Sequence, residues 1–356
     1  MTGIRIAGVG GYLPGPAIDQ DGVREFLRRH RDGLSESMQE RLLDETGILA
    51  RHFALDLADE TRRESNTSMA TAAARRALEA ANWRPEEVDL LVVTTVVPDQ
   101  LMPPTSTLAQ EALEIPRCTE IEISANCSAP YKGLAFPVSH LRLGQYQRAL
   151  LCFSQFVTCV LSPLWINPER MGPDHGFLRW IVSDGAGAIA LECGEPDTSL
   201  RVWLESTGCG KRSGMSLAFG ATQPDFIGAF ERGDQHVTQN GRYAMRQGFL
   251  LAVEGFERML RELETSAKSI DHFIPAVSSM QVARKLQLLF AERFGLRPES
   301  WRLNLARVGY VGSAGLPLVL DELLQAGELR PGDLVCSVPE ESSKWMCAGT
   351  IFRWNP

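Results

Sequence analysis

The 356-residue sequence has no long apolar run, no closely paired cysteines and no block of like charge. No window approaches the roughly 18 consecutive apolar residues that span a bilayer, so a membrane protein is not expected. The eight cysteines are widely spaced and form no CxxC pair, which argues against a zinc site or a disulfide framework and favours reduced thiols in a cytoplasm. A net charge of −8 argues against a nucleic-acid partner.

What the chain does contain is one pattern of helices and strands that occurs twice. Asp89 and Asp271 each lie at the start of a strand that follows a helix, 271 − 89 = 182 residues apart. Cys127 and Gly312 each precede a helix and a further strand, 312 − 127 = 185 residues apart. Because the two offsets nearly agree, a duplicated α/β fold explains them better than chance similarity of two strand-helix-strand units.

Cys127 lies at the turning point of the most informative stretch, residues 120–134. Before it, Ile121 and Ile123 alternate with polar residues as in a strand, and after it small residues lead into a helical pattern. Free N–H groups and the dipole at a helix N-terminus stabilise a thiolate, which makes such a cysteine a candidate nucleophile. The alternative is a buried cysteine that packs as a small apolar side chain.

Five short motifs occur in a specific order and spacing: Glu45-Thr46-Gly47-Ile48, Ala125-Asn126-Cys127-Ser128-Ala129, Asp184-Gly185-Ala186-Gly187-Ala188, Asn240-Gly241-Arg242 and Gly315-Leu316-Pro317-Leu318-Val319-Leu320-Asp321-Glu322. With these motifs the chain resembles the ketosynthase III enzymes of the thiolase superfamily, the β-ketoacyl-acyl-carrier-protein synthase III type. The resemblance covers nearly the whole length.

This resemblance implies an α/β fold of the thiolase-like, five-layered α-β-α-β-α type built from two duplicated halves. We place the N-terminal half with the nucleophile at residues 1–198 and the C-terminal half at residues 199–356. The resemblance also implies that Cys127 accepts an acyl group from a thioester, and that the protein is a homodimer or a heterodimer with a second ketosynthase. It implies no cofactor and no metal.

Two positions depart from the family's pattern. In the family, a histidine follows the proline matched by Pro275 and an asparagine follows the glycine matched by Gly309; this chain has Ala276 and Tyr310 there. That pair binds the thioester carbonyl that becomes an enolate when a malonyl unit loses carbon dioxide. Tyr310 can donate one hydrogen bond, but we expect it mainly to fill space, and we predict acyl transfer without decarboxylation.

Three further residues bear on the chemistry. Ser343 belongs to residues 340–345, which replace the family's glycine-rich loop, and its neighbourhood is a candidate for backbone oxyanion donors or for pocket lining. Glu45 stands where members that use coenzyme A often carry an arginine, so a carrier-protein donor is predicted. His175, beside Asp174 in an irregular excursion, is the candidate substitute for the missing histidine; the alternative is a surface or hydrogen-bonded histidine.

The sequence therefore predicts an acyltransferase of the ketosynthase III type. Cys127 takes an acyl group from an acyl carrier protein and passes it to a small-molecule or carrier-bound acceptor, an amine, an alcohol or a stabilised carbanion. A specialised-metabolite pathway is favoured because housekeeping fatty-acid synthesis needs the decarboxylating pair. The alternative is a catalytically reduced partner subunit that binds or shapes the acyl chain for a complete ketosynthase.

Overall fold

A computed structural model of the protein describes residues 3–29, 35–161, 165–195, 200–218, 220 and 225–355. The strands in these ranges are β1 (Gly3–Tyr12), β2 (Ile18–Asp19), β3 (Ala50–Arg51), β4 (Leu90–Thr95), β5 (Thr119–Ser124), β6 (Arg148–Gln155), β7 (Gly185–Gly194), β8 (Arg201–Ser206), β9 (Met215–Ser216), β10 (Thr238–Gln239), β11 (His272–Ala276), β12 (Leu334–Glu341) and β13 (Met346–Arg353). The helices are α1 (Gln20–Arg29), α2 (Glu36–Thr46), α3 (Asn66–Ala81), α4 (Thr105–Ala112), α5 (Ala129–Arg142), α6 (Pro173–Arg179), α7 (Phe226–Arg232), α8 (Gly241–Glu262), α9 (Met280–Phe294), α10 (Leu305–Val308) and α11 (Gly315–Gln325). None of these helices has the length and apolar character needed to cross a membrane.

Two mixed sheets repeat one strand order. The first runs β1-β7-β6-β4-β5 and the second, read from its other edge, β8-β13-β12-β11. In both, the first two pairings are antiparallel and the next is parallel. Trp301 adds an isolated parallel bridge to Phe273 on β11, in the position that β5 takes beside β4. The duplicated fold predicted from the offsets is confirmed.

The boundary predicted between residues 198 and 199 lies in the stretch 196–199, outside the described residues. The strands of the first sheet come from residues 3–194 and those of the second from residues 201–353. The division into halves at that boundary stays a prediction.

Three helical layers enclose the two sheets. On the outer face of the first sheet, α3 packs through a row of alanines that includes Ala73 and Ala77. Between the sheets lie α5 and α11, where Leu134 and Leu320 belong to a single apolar cluster with residues of both sheets. On the outer face of the second sheet, α8 and α9 pack with Phe256 and Phe290. The order is α-β-α-β-α, as predicted.

The contact between β1 and α3 explains the small residues of both elements. A Cβ atom built on Gly10 would lie 2.3 Å from the carbonyl oxygen of Ala73 and 2.6 Å from the backbone nitrogen of Ala77. Backbone atoms of a helix cannot move aside singly, as a flexible side chain can. Glycine at this position therefore lets the helix lie directly on the strand.

We expect Gly10→Ala to lower the free energy of unfolding by about 3 kcal/mol, because the added methyl group forces α3 away from the sheet. Urea unfolding followed by circular dichroism measures the change. The matched control is Gly241→Ala, where nothing lies within 4 Å of the added atom, and which should be neutral or slightly stabilising. Equal effects of the two substitutions would contradict this account of the β1–α3 contact.

Candidate active site

Cys127 lies in the turn between the end of β5 at Ser124 and the start of α5 at Ala129. The strand-to-helix corner predicted from the sequence is confirmed. The residue is a partly exposed, free cysteine. It lines a large cavity with a volume of about 1190 Å³ and a predominantly apolar lining. The thiol of Cys127 thus opens to a space large enough for an acyl chain and its carrier arm.

Tyr310 contacts this thiol directly, since its Oη atom lies 2.7 Å from Cys127 Sγ. The backbone N–H of Tyr310 donates to Ile181 O (2.9 Å), and its carbonyl accepts from Ser183 N–H (3.0 Å). Gly309 precedes it with φ +75°, a conformation that favours glycine. A fixed backbone thus holds the hydroxyl of Tyr310 against the sulfur, where it can donate the one hydrogen bond expected of it to a thiolate. That Tyr310 mainly fills space stays a prediction.

Ala276 ends β11 and lines the large cavity beside Cys127. Cys127, Ala276 and Tyr310 also share a second, small cavity of about 40 Å³. The fold thus brings the three positions to one site although they are far apart in sequence. The methyl group of Ala276 offers no hydrogen bond to a substrate. That Ala276 and Tyr310 occupy the places of the family's histidine and asparagine stays a prediction.

Glu341, which the sequence analysis did not single out, binds the start of α5. Its Oε2 accepts from Ser128 N–H (3.1 Å) and from Ser128 Oγ, and its Oε1 accepts from Ser343 Oγ (2.6 Å). The side chain is 7% exposed. The sequence did contain an indication that Glu341 is unusual, because two glutamates stand where a glycine-rich loop was expected. An anion at the N-terminus of a helix is electrostatically favourable.

This carboxylate changes the expected activation of Cys127. Glu341 accepts the N–H of Ser128, the residue that caps α5. It thereby places a negative charge one residue from the thiol. A thiolate at Cys127 would compete with Glu341 for the positive end of the helix and would be repelled by it. Activation by the helix N-terminus alone is therefore weaker than the sequence indicated, and the hydroxyl of Tyr310 is the neighbouring group that favours the anion.

The remaining candidates also line the large cavity. Ser343 donates its hydroxyl to Glu341, and the predicted oxyanion role of its backbone stays a prediction. His175 was expected in an irregular segment, but it lies on α6. Its Nδ1 accepts from Gly172 N–H (2.9 Å), and burial lowers its pKa. Its role as a substitute for the missing histidine stays a prediction.

Glu45 lies at the rim of the cavity with Arg41, on α2. Its Oε1 is 4.0 Å from Arg41 Nε, and both side chains are exposed. A carboxylate and a guanidinium this close leave little net positive charge for phosphate groups.

Among the described residues, no group of three or more His, Cys, Asp or Glu side chains is placed to hold a metal ion.

The other cysteines differ from Cys127 in their surroundings. Burial raises the pKa of Cys118 to about 11 and of Cys152 and Cys159 to about 12. It also raises the pKa of Cys336. Such thiols are inert near neutral pH. The exposed Cys209 is the clear competitor for alkylation.

Comparisons with known proteins agree with this architecture. Residues 260–353 match the family described as 3-oxoacyl-[acyl-carrier-protein (ACP)] synthase III C terminal. The chain is 30% identical to the β-ketoacyl-[acyl-carrier-protein] synthase III of Acidiphilium cryptum, over 93% of each protein. It is 26% identical to that of Clostridium beijerinckii, over 99% of this chain and 100% of the relative. The solved structure of AbyA1, a tetronic acid condensing enzyme, superposes with a TM-score of 0.81 at 27% identity, covering 98% of this chain and 99% of AbyA1.

In a Cys209→Ser background, we expect iodoacetamide near neutral pH to label Cys127 ahead of every other cysteine. Glu341→Gln should speed that labelling roughly tenfold, because it removes a negative charge next to the thiolate. Peptide mass spectrometry over time gives the rates. Glu45→Gln, which removes an exposed charge at the cavity rim, is the matched control and should change little. An unchanged rate in Glu341→Gln would contradict the competition between the two anions.

Proposed function

We propose that this chain, which belongs to the β-ketoacyl-[acyl-carrier-protein] synthase III family, transfers an acyl group from a carrier-protein thioester through Cys127 to an acceptor nucleophile. The observation that carries the proposal is the contact of Cys127 with Tyr310 at the wall of a large apolar cavity. A nucleophilic thiol, a hydroxyl that stabilises its anion and room for an acyl chain are the requirements of such a reaction.

The reaction consists of two balanced steps. The thiolate of Cys127 attacks the thioester carbonyl, the carbon–sulfur bond to the carrier breaks, and the carrier leaves as a thiol with the proton that Cys127 gave up. The acceptor then attacks the acyl-cysteine and forms its own bond to the acyl carbon, the bond between that carbon and Cys127 Sγ breaks, and the proton lost by the acceptor passes to the Cys127 thiolate. In both steps the hydroxyl of Tyr310 donates to the sulfur anion, which lowers the barrier to its formation and departure.

Glu341 acts as a positioning residue. It ties Ser128, the neighbour of Cys127, to the turn between β12 and β13 that carries Ser343. This contact fixes the orientation of the thiol relative to backbone N–H groups of Cys127 and of that turn, which supply the oxyanion donors. Fixed donors stabilise a tetrahedral intermediate without reorganisation during the reaction.

Ala276 supports a reaction that does not begin with decarboxylation. An enolate formed from a malonyl unit needs preorganised donors, and the loss of one such donor commonly costs on the order of a hundredfold in rate. AbyA1, a structural relative at 27% identity, is a tetronic acid condensing enzyme, so condensation to a tetronic acid occurs on this fold. We infer a specialised-metabolite role for this chain, with a small-molecule or carrier-bound acceptor that is already nucleophilic.

The donor we propose is an acyl carrier protein. The relatives in Acidiphilium cryptum and Clostridium beijerinckii carry that partner in their names. The pairing of Glu45 with Arg41 at the cavity rim is also unfavourable for the phosphates of free coenzyme A. The assembly is a homodimer or a heterodimer with a second ketosynthase, as the family resemblance implies.

Incubation with an acyl carrier protein should add the mass of one acyl group to the protein, as seen by intact-protein mass spectrometry. Cys127→Ala should remove the adduct entirely, and Tyr310→Phe should slow its formation roughly tenfold, since a hydrogen bond to an anion is lost. Absence of an adduct with any donor, together with co-purification of a second ketosynthase, would instead support the catalytically reduced partner subunit.

Malonyl-carrier protein labelled with ¹³C or ¹⁴C at the free carboxyl should release almost no carbon dioxide with the wild-type protein, because Ala276 supplies no donor to the enolate. Ala276→His combined with Tyr310→Asn should increase the release if the scaffold is otherwise intact. Rapid release by the wild type would show that other groups bind the enolate, and would contradict the proposed loss of the decarboxylation site.

A further inference from the structure

Three nitrogen-bearing side chains lie together on one wall of the large cavity: His175 and Arg179 of α6 and His236. We call them the donor cluster. The ring centroids of the two histidines are 5.2 Å apart. His175 and Arg179 are four residues apart on a helix and therefore share a face. Three residues beyond Arg179, Val182 pairs with Tyr310, so the cluster is built on the same segment that holds the hydroxyl against Cys127.

Backbone contacts fix which ring nitrogens carry protons. His175 Nδ1 accepts from Gly172 N–H (2.9 Å), and His236 Nε2 accepts from Asn167 N–H (3.0 Å). A backbone N–H can only donate, so these two ring nitrogens are unprotonated. In the neutral rings the proton then resides on Nε2 of His175 and on Nδ1 of His236, and both are hydrogen-bond donors.

One of these donors is buried without a partner. His236 is 6% exposed, and its Nδ1 makes no hydrogen bond within the part of the chain that the structure describes. Buried polar atoms in native proteins are nearly always satisfied by protein, water or ligand. Since His236 lines the cavity, a bound molecule is a partner that the architecture itself allows.

Burial, aided by nearby positive charge, keeps the histidines neutral. Burial, with repulsion from Arg179 and from His175 whenever that ring is protonated, lowers the pKa of His236 to about 4, and burial lowers the pKa of His175 against the smaller, opposite effect of the exposed Asp174. The guanidinium of Arg179 remains protonated. A histidine whose lone pair is already bound to a backbone N–H cannot act as a general base, so His175 is better suited to binding than to replacing the missing histidine.

We propose that the donor cluster binds a carboxylate of the substrate. Two fixed N–H donors and a guanidinium match the oxygens of a carboxylate in number and in charge. The apolar lining of the same cavity, including Ile166 and Phe177, accommodates the methylene chain that joins the carboxylate to the reacting group. The carboxylate belongs either to the far end of the transferred acyl chain or to the acceptor. The biological meaning of this assignment rests on the proposed acyl transfer. Binding of a carboxylate by the donor cluster does not itself require any transfer.

The test is isothermal titration of the full-length protein with adipate and with its neutral isostere adipamide. We expect adipate to bind at least about tenfold more tightly, because charge-assisted hydrogen bonds are stronger than neutral ones. Arg179→Gln and His175→Leu should each weaken adipate binding roughly tenfold, and His175→Gln, which keeps an N–H donor, should restore much of it. Thermal melts of each variant identify any that fail to fold. Because His175 is partly exposed, its two variants still test the proposal if Arg179→Gln unfolds.

Arg246→Gln is the matched control, since Arg246 is an exposed arginine at the same cavity and its loss should leave adipate binding unchanged.

A second experiment shows whether the bound carboxylate belongs to the acyl chain or to the acceptor. It compares the loading of Cys127 from the hexanoyl and adipoyl thioesters of N-acetylcysteamine. A preference for adipoyl assigns the carboxylate to the acyl chain, and equal loading assigns it to the acceptor. Equal binding of adipate and adipamide, or adipate binding that is insensitive to His175→Leu, overturns the proposal. Absence of loading with intact adipate binding overturns the acyl transfer alone.

Discussion

The hydrogen bonds between Glu341 and Ser128 join the second sheet to the corner before α5, next to the Cys127 thiol. Glu341 ends β12 of the second sheet, and Ser128 immediately precedes the helix that follows β5 of the first. One turn further along α5, the hydroxyl of Tyr131 lies 2.7 Å from Ser337 Oγ, again joining α5 to β12 in the buried interior. The position of Cys127 is therefore set by both sheets at once.

That arrangement has an electrostatic cost. A buried carboxylate next to a helix N-terminus is stabilised by the same N–H groups and dipole that would otherwise stabilise a thiolate. The contact of Tyr310 with Cys127 Sγ compensates, because a phenol donates its hydrogen bond more strongly as the sulfur gains negative charge. In the proposed reaction the thiol is thus activated chiefly when it reacts, which suits a residue that is to release its acyl group as readily as it accepts it.

Much of the fold could be predicted from the sequence, because it follows from local patterns that are repeated. The near-equal offsets of the two halves indicated the duplication, and alternating isoleucines followed by small residues placed Cys127 at its corner. The contacts of Tyr310 and Glu341 with that corner could not be predicted, since the partners are 183 and 213 residues apart. The contacts of Tyr310 and Glu341 with the Cys127 corner depend on how the second sheet packs against α5. His236 belongs to no motif, and only the packing of its segment beside α6 gives it a role.

The polar groups of the cavity are distributed in a way that fits acyl transfer better than decarboxylation. A decarboxylating condensation needs its donors at the reacting carbon, where this chain has the methyl group of Ala276. The donor cluster instead lies along the cavity wall on and beside α6, where the proposed carboxylate binding would orient a substrate rather than stabilise an enolate. Binding energy gained away from the reacting atoms can hold an acceptor in line with an acyl-cysteine and so raise the rate of transfer. In the proposed mechanism, substrate recognition by the wall and bond-making at Cys127 are therefore separate tasks, and Tyr310, whose backbone pairs with the segment following α6, connects the two regions.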